Sequence, residues 1–265
     1  MSILESATSV LQLMARSGRH LTVSDVSDGL SLPKSSISRL LKQMLTCGLL
    51  ERDGTTLAYS PSLLMLELGR LVQTSKPALP RMEKALEELV AATGHTGYIS
   101  VLDPSQQSVV VLRVFHGRHA LRVVTEPGQR SSATRTSTGR ALLARMDDAR
   151  IAALFEGTAT SDPTGKPLSL AQLKKRLQLI REQGWSSAIN ESLPGVGSVS
   201  CAVGDPSTGE AWAFCLSFPA VLADQKGFLD HLVHPLVQSA RALGQATGDA
   251  AWRGAPPADP PSLAP

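Results

Sequence analysis

The chain has 265 residues, 42 % apolar and 18 % charged, so it can bury one large core or two smaller ones and does not belong with disordered chains. Its formal net charge of +3 permits an acidic partner such as nucleic acid without requiring one. Cys47, Cys201 and Cys215 lack the number and spacing of a disulfide framework or zinc site, and there is no signal-peptide pattern and no apolar run near the ~20 residues that span a bilayer, so a soluble cytoplasmic protein without membrane partners is expected.

Ala7, Val10, Leu11 and Met14 recur at helical spacing and predict a helix over residues 4–17, closed by Ser17-Gly18. Thr22 predicts the cap of a short second helix that turns Val23, Val26 and Leu30 inward. After a break at Gly29 and Ser31, Pro33 opens a third helix, where its missing N–H needs no partner. Ile37, Leu40, Leu41, Met44 and Leu45 form one face of this helix. Lys34, Ser35, Ser38, Arg39 and Lys42 lie on or near the other, and Gly48 ends it. Leu49–Arg52 and Leu57–Ser60 predict two strands around an Asp53-Gly54-Thr55 turn. Three short helices followed by a hairpin make a winged helix-turn-helix over residues 1–60.

Residues 61–76 predict a linker helix. Leu63, Leu64, Leu66, Leu68 and Leu71 make it apolar on more than one side, which requires a partner surface, either the next domain or a second subunit. Lys76-Pro77 and Leu79-Pro80 mark the boundary. Beyond it the pattern predicts a helix over 81–93 and strands over Gly97–Leu102, Ser108–Phe115 and Leu121–Thr125. Helices over 138–146, 147–156 and 169–183 follow, then strands near 185–190, 197–204 and 210–218, and a closing helix over Asp224–Thr247. One sheet with helices on its faces and ends, an α+β domain over 77–248, is the economical arrangement. The Pro- and Ala-rich residues 249–265 have no period and predict a disordered tail.

A basic amphipathic helix standing alone is ordinarily a solvated face. Here a second helix, a tight turn, the basic helix and a hairpin occur in the order a DNA reader requires. In that arrangement the third helix enters the major groove. Ser35, Ser36 and Ser38 allow close approach and can bond phosphate or base edges, and Arg39 can reach a guanine or a phosphate. Lys34 and Lys42 flank them, and Arg52 and Thr55 sit near the wing turn. Residues 1–75 carry seven basic and six acidic side chains, so this module alone binds DNA modestly. Dimerisation on a two-fold site would supply the remainder.

LPKSSISRLLKQMLTCGLLERD, residues 32–53, resembles the reading helix and wing of the IclR family of bacterial transcriptional regulators. TSTGRALLA at 136–144 is similar to that family's small-small-Gly-Lys-Ala-Leu-Leu-Ala segment, with Arg140 in place of Lys. REQGWSSAINESLPGVGSVSCAV at 181–203 and AWAFCLSFP at 211–219 resemble two further family segments, so the resemblance covers about residues 4–248. It implies a GAF-like C-terminal domain that binds a small effector, a dimer or tetramer, double-stranded operator DNA as partner, and local control of a catabolic operon.

Ser137-Thr138-Gly139 begins a helix, and free N–H groups with adjacent hydroxyls suit an anion such as a carboxylate. The resemblance places Ser137 and Thr138 at a pocket mouth, Asp205 after the central strand, Val123 as an apolar wall, and Cys215 and Ser217 on one face of the last strand. A small organic or aromatic acid is the implied effector. Plainer roles stand beside these: a helix cap for Ser137 and Thr138, a hairpin turn for Asp205-Pro206, a small core residue for Cys215, a backbone partner for Ser217, and core packing for Tyr98, Trp185 and Trp212.

The competing class is an enzyme or sensor with a winged-helix appendage. GxSxG, HExxH and a phosphate-binding loop are absent from the sequence. His231 and His234 share a helix face without an evident third ligand. The sequence therefore predicts no catalytic residue, metal or cofactor.

Overall fold

The computed structural model describes residues 2–74, 78–119, 125–157 and 168–253, divided into two compact units at Pro77 and Ala78.

The first unit begins with α1 (Ile3–Ser17), α2 (Val23–Leu30) and α3 (Lys34–Thr46), followed by β1 (Leu50–Arg52), β2 (Tyr59–Pro61) and α4 (Leu63–Thr74). Ser2 with Glu5 and Thr22 with Asp25 form reciprocal caps at the starts of α1 and α2. Arg19 adds an ion pair to Asp25 at 2.8 Å, and together with Thr22 it holds that carboxyl well below the usual range. The turn into α3 is locked twice: Ser27 Oγ donates to the Leu32 carbonyl at 2.7 Å, and the Leu32 N–H donates to the Ser27 carbonyl at 3.1 Å. Val10, Val26, Ile37, Leu41, Leu50 and Tyr59 meet in one core, which fixes the orientation of α3.

The wing turn is longer than the sequence suggests. Arg52 pairs with Tyr59, so Leu57 and Ala58 belong to the turn and not to a strand. Asp53 accepts from the N–H groups of Thr55 and Thr56 and from the Thr56 hydroxyl, and Leu57 takes a positive φ of 58°. One carboxylate thus replaces several ladder bonds. The next helix starts at Leu63 because Pro61 ends β2 and Ser62 bonds back to the Gly48 carbonyl at 2.6 Å. On α4, Leu63, Leu66 and Leu71 are 69, 72 and 58 % exposed.

The second unit contains α5 (Leu79–Thr93), β3 (Thr96–Leu102), β4 (Ser108–Phe115), β5 (Arg130–Ser132), α6 (Ser137–Leu143), α7 (Asp148–Phe155) and α8 (Leu170–Gln183). It continues with β6 (Ser186–Ile189), β7 (Val196–Asp205), β8 (Glu210–Pro219) and α9 (Phe228–Thr247). The strands form one antiparallel sheet in the order β5-β4-β3-β8-β7-β6. Alternation along β7 and β8 sends Val199, Cys201, Trp212, Phe214 and Leu216 to a core with α5 and α9. Ala202 and Ala213 point the other way, to a core with α6, α7 and α8.

The strand expected over Leu121–Thr125 lies outside the described residues except for Thr125, which is not in a strand; the fifth strand is Arg130–Ser132. The closing helix starts at Phe228, four residues later than expected, because Ala220–Asp224 form a 3-10 turn and Gly227 takes a left-handed conformation. The reading of all residues from 249 as a disordered tail is corrected for the first five. Ala250–Trp252 form a 3-10 turn, and Trp252 is only 6 % exposed. β6 pairs with β7 only as far as Ser200, which leaves the edge of β7 open beyond it. Trp252 Nε1 donates to the Ala202 carbonyl at 3.0 Å, and Asp249 accepts from the Gly204 N–H at 2.7 Å, so side chains of this segment close that edge. Residues 254–265 lie outside the described set.

Candidate functional site

Two surfaces hold polar side chains in unusual surroundings, one in each unit. In the first unit, Ile37, Leu40, Leu41 and Met44 bury one face of α3. Lys34, Ser35, Ser36, Ser38, Arg39 and Lys42 are all exposed on the remainder. Gln43 and Thr46, which the sequence analysis did not single out, share that exposed surface and follow from the same period. Lys34, Arg39 and Lys42 form no ion pair among the described residues. Long cations and short hydroxyls on one helix face, unengaged by the protein, can meet phosphates and base edges. Arg52 and Thr55 are exposed on the wing, but Arg52 is partly engaged: its guanidinium lies 5.3 Å over the Tyr59 ring and donates to the Leu57 carbonyl at 3.3 Å.

In the second unit, polar side chains line the sheet face that α6 covers. The strand register sets Tyr98, Cys215, Ser200 and Ser186 side by side across β3, β8, β7 and β6. The neighbouring row is Thr96, Ser217, Ser198 and Ala188. Tyr98 Oη, Ser200 Oγ and Ser186 Oγ are buried without a hydrogen-bond partner. Three orphaned hydroxyls in one row are a cost, and a ligand offering donors and acceptors would remove it. Burial holds the Tyr98 phenol well above its ordinary range, with Cys215 adding to the rise. Ser217 offsets part of that rise, though its contact with Tyr98 falls short of hydrogen-bond geometry; its hydroxyl donates to the Gly197 carbonyl at 3.4 Å. Burial pushes the Cys215 thiol up to about 12. The row is therefore neutral.

Of the ligand residues expected from the sequence, Ser137, Cys215 and Ser217 come together here. Ser137 is 1 % exposed and its hydroxyl lies 2.7 Å from that of Ser198, which faces Ser217 across the sheet. Neither Ser137 nor Thr138 caps α6. Thr136 does, accepting from the Gly139 N–H at 3.1 Å, and Thr138 is buried one residue beyond Ser137. Gly139 has a packing role: a Cβ there would lie 2.2 Å from the Ala133 carbonyl oxygen.

Asp205 lies apart from this group, in the hairpin-turn role that the sequence also allows. Its carboxylate accepts from the Ser207 N–H at 2.9 Å and the Ser207 hydroxyl at 2.6 Å, closing the β7–β8 turn, and these bonds hold it below the usual range. It stands seven residues from Ser198 along β7, about 23 Å at strand rise, and belongs to no shared pocket with it. Val123 lies outside the described residues. Ser186, Ser198 and Ser200, which the sequence reading does not name, join this face, as does Tyr98, for which core packing is the plainer expectation. The available signal was the pair of serines two apart in the otherwise apolar strand VGSVSCAV.

Arg140 explains how α6 is held so deep. Its guanidinium is 4 % exposed and meets both Glu191 oxygens, at 2.6 and 3.0 Å, with further bonds to the Thr134 and Ser187 carbonyls. Among the described residues no group of three His, Cys, Asp or Glu is arranged to hold a metal, and His234 bonds Gln238 at 2.8 Å. No helix among them is long and apolar enough to cross a membrane.

The chain matches the IclR helix-turn-helix domain over residues 4–54 and the bacterial transcriptional regulator IclR C-terminal domain over residues 73–245. It is 27 % identical to the HTH-type transcriptional regulator XynR of Escherichia coli over 247 residues, covering 92 % of this chain and 96 % of that protein. It is 24 % identical to the regulator KdgR of the same organism, covering 87 % of each. A crystal structure of a putative IclR regulator from Silicibacter aligns with a TM-score of 0.78 at 20 % identity, covering 98 % of this chain and all of that one. An IclR homolog from Microbacterium hydrocarbonoxydans, crystallised with 4-hydroxybenzoate, aligns at 0.73 and 17 % identity over 94 % of this chain and all of that one. The exposed basic helix and the domain that follows it thus have a family: this chain is a DNA-binding transcriptional regulator and belongs to the IclR family.

Proposed function

We propose that this regulator responds to a small organic or aromatic acid bound on the polar sheet face, and controls a catabolic operon. The observation that carries the reading is the row Tyr98, Cys215, Ser200 and Ser186 with its three unpaired hydroxyls. A hydroxy-acid supplies what those groups lack. Its hydroxyl can exchange hydrogen bonds with the row. Its carboxylate can take the N–H groups of Ser137 and Thr138, which the first turn of a helix leaves unused. Gly139 lets the start of α6 close against the Ala133 backbone. A bound 4-hydroxybenzoate in one structural neighbour supports this ligand class, and the Pca regulon regulatory protein of Pseudomonas putida, 25 % identical over 208 residues, covering 78 % of this chain and 70 % of that protein, supports control of a set of genes.

The DNA target is a two-fold operator read by two copies of α3, one from each protomer of a dimer or of a dimer of dimers. Lys34, Ser35, Ser36, Ser38, Arg39 and Lys42 meet the major groove, with Arg52 and Thr55 on the adjacent backbone. The exposed leucines of α4 supply a face for a second copy of the same helix. The effector acts by favouring one spacing of the two reading heads, and it shifts DNA affinity only by its differential binding to the two arrangements.

The test is a salt-resolved mobility shift on the intergenic DNA upstream of the chain's own gene, with a panel of small carboxylic acids. A specific complex that one acid strengthens or dissolves is expected. A complex that no acid alters, in a protein that no acid stabilises thermally, removes the effector reading and leaves the DNA-binding one.

A further inference from the structure

A second cavity lies toward the C-terminal end of α6, where Ala141 and Ala144 line it beyond Ser137. It has a volume of about 380 Å³, at the small end of the range for small-molecule pockets. It sits at the open edge of β7, beyond the end of β6, and its apolar wall includes Ile180, Ala202 and Trp252. Three arginines face it: Arg145, Arg181 and Arg241. Two are committed to the protein. Arg181 donates to the Ala144 carbonyl at 3.0 Å, the Met146 carbonyl at 2.7 Å and Asp148 at 2.9 Å. Arg145 pairs with Asp249 at 2.5 Å.

Arg241 is not committed. It forms no ion pair among the described residues, and its Nε is buried without a hydrogen-bond partner. A guanidinium N–H withdrawn from water with nothing to donate to is an unusual cost in a folded protein. Glu182, the acidic residue of the lining, is exposed and accepts from Gln178 at 2.8 Å.

We infer that this cavity is a second ligand site, distinct from the polar sheet face, and that it takes a small organic or inorganic oxyanion. A carboxylate or phosphate oxygen at Arg241 completes the planar donor set that the protein leaves open. Ile180, Ala202 and the Trp252 ring cover an apolar body. The site also touches a joint in the fold. The same Asp249 that pairs with Arg145 accepts from the Gly204 N–H, so the terminal segment is fastened to β7 at the rim of the cavity. An anion that draws Arg145 toward itself competes with that fastening.

The test is calorimetric titration of the full chain with benzoate, pyruvate and inorganic phosphate, each alone. Saturable binding of at least one probe is expected, weakened about tenfold or more in Arg241→Gln. Ala251→Phe, a change at an exposed lining position that places a ring in the mouth without entering the core, should weaken the same probe and keep the wild-type circular dichroism spectrum. Binding that survives both substitutions overturns the site, as does failure of all three probes to bind. Binding lost in Ser217→Ala and kept in Arg241→Gln places the anion on the sheet face, which overturns this inference and leaves the effector reading standing.

Discussion

Helices α3 and α6 begin alike and end in opposite surroundings. Each opens with short hydroxyl residues: Ser35, Ser36 and Ser38 in α3, and Thr136, Ser137 and Thr138 at the start of α6. The serines of α3 are exposed, while Ser137 and Thr138 are 1 and 7 % exposed and every residue of α6 is buried. Charge separates them. α3 interleaves its serines with Lys34, Arg39 and Lys42, none of which the protein neutralises, so that face must stay in water or meet a polyanion. α6 carries a single charge, Arg140, and Glu191 neutralises it with two-pronged geometry. The same small polar residues therefore face outward in one unit and are buried against the sheet in the other.

The comparison breaks most visibly at Glu191. Glu191→Ala leaves the Arg140 guanidinium buried without its carboxylate, and should cost about 3–5 kcal/mol of stability in the second unit. Trp185, Trp212 and Trp252 all lie in that unit, so denaturant unfolding followed by tryptophan fluorescence measures it directly. Lys34→Ala on α3 should move the same transition by less than about 0.5 kcal/mol. Equal effects would mean that α6 is not held by this pair.

Arg39→Ala tests the other helix. It should weaken operator binding by about 1–3 kcal/mol if the guanidinium pairs a base, with the unfolding midpoint unchanged. A competition mobility shift against non-specific DNA measures the first quantity. Undiminished affinity would remove Arg39 from the base-reading set and leave α3 only its phosphate contacts.

The difference in legibility follows the same division. α3 could be read because a single helical period decides both its core and its exposed face, and Gln43 and Thr46 fall into place by the same rule. The polar row could not be read in full because it joins Tyr98, Ser186, Ser200 and Cys215 from four strands whose register is settled only by folding. Alternation alone put Cys215 and Ser217 on one face correctly. It could not choose between the two roles of Asp205, since a carboxylate after a strand serves a turn as readily as a ligand. The segment from 249 was misread because its composition hid a single anchoring side chain, Trp252, whose partner is the open edge of β7. Order there depends on an edge that β6 is too short to cover, a property no local pattern carries.

Acidification sharpens the contrast on a smaller scale. His95 in the second unit stacks on His119 with ring centroids 4.2 Å apart and packs edge-on against Phe218 and Phe228. Burial first, then His119 and His231, bring its pKa down to about 4 from an ordinary 6.5. The unfolded chain therefore binds more protons than the folded one between those values, and stability falls as pH drops through that window. Allowing for partial hydration of the ring, the loss is about 1 kcal/mol. Asp25 and Asp53 in the first unit run the other way: both carboxyls are held low, so their contribution persists across the same window. His95→Phe should flatten the pH dependence of the tryptophan-detected midpoint between pH 6.5 and 4. An unchanged slope would assign the acid sensitivity to another group.

The smallest expected effect is the most discriminating, because its sign is unusual. Removing a buried hydroxyl from a satisfied interior costs stability, since the former partner is left alone. Tyr98 Oη has no partner to abandon. Tyr98→Phe should therefore leave the ligand-free protein as stable as wild type, or more stable by a few tenths of a kcal/mol, while the response to an acid effector weakens. The two readouts together separate a ligand contact from a packing residue. A packing role carried by the ring survives in phenylalanine and leaves both unchanged. A hidden bond to Ser217 would instead show as a loss of about 1 kcal/mol without any ligand present. Only a hydroxyl kept for a visitor gives an unharmed empty protein and a blunted response, and thermal unfolding with and without the acid found in the mobility shift distinguishes the three.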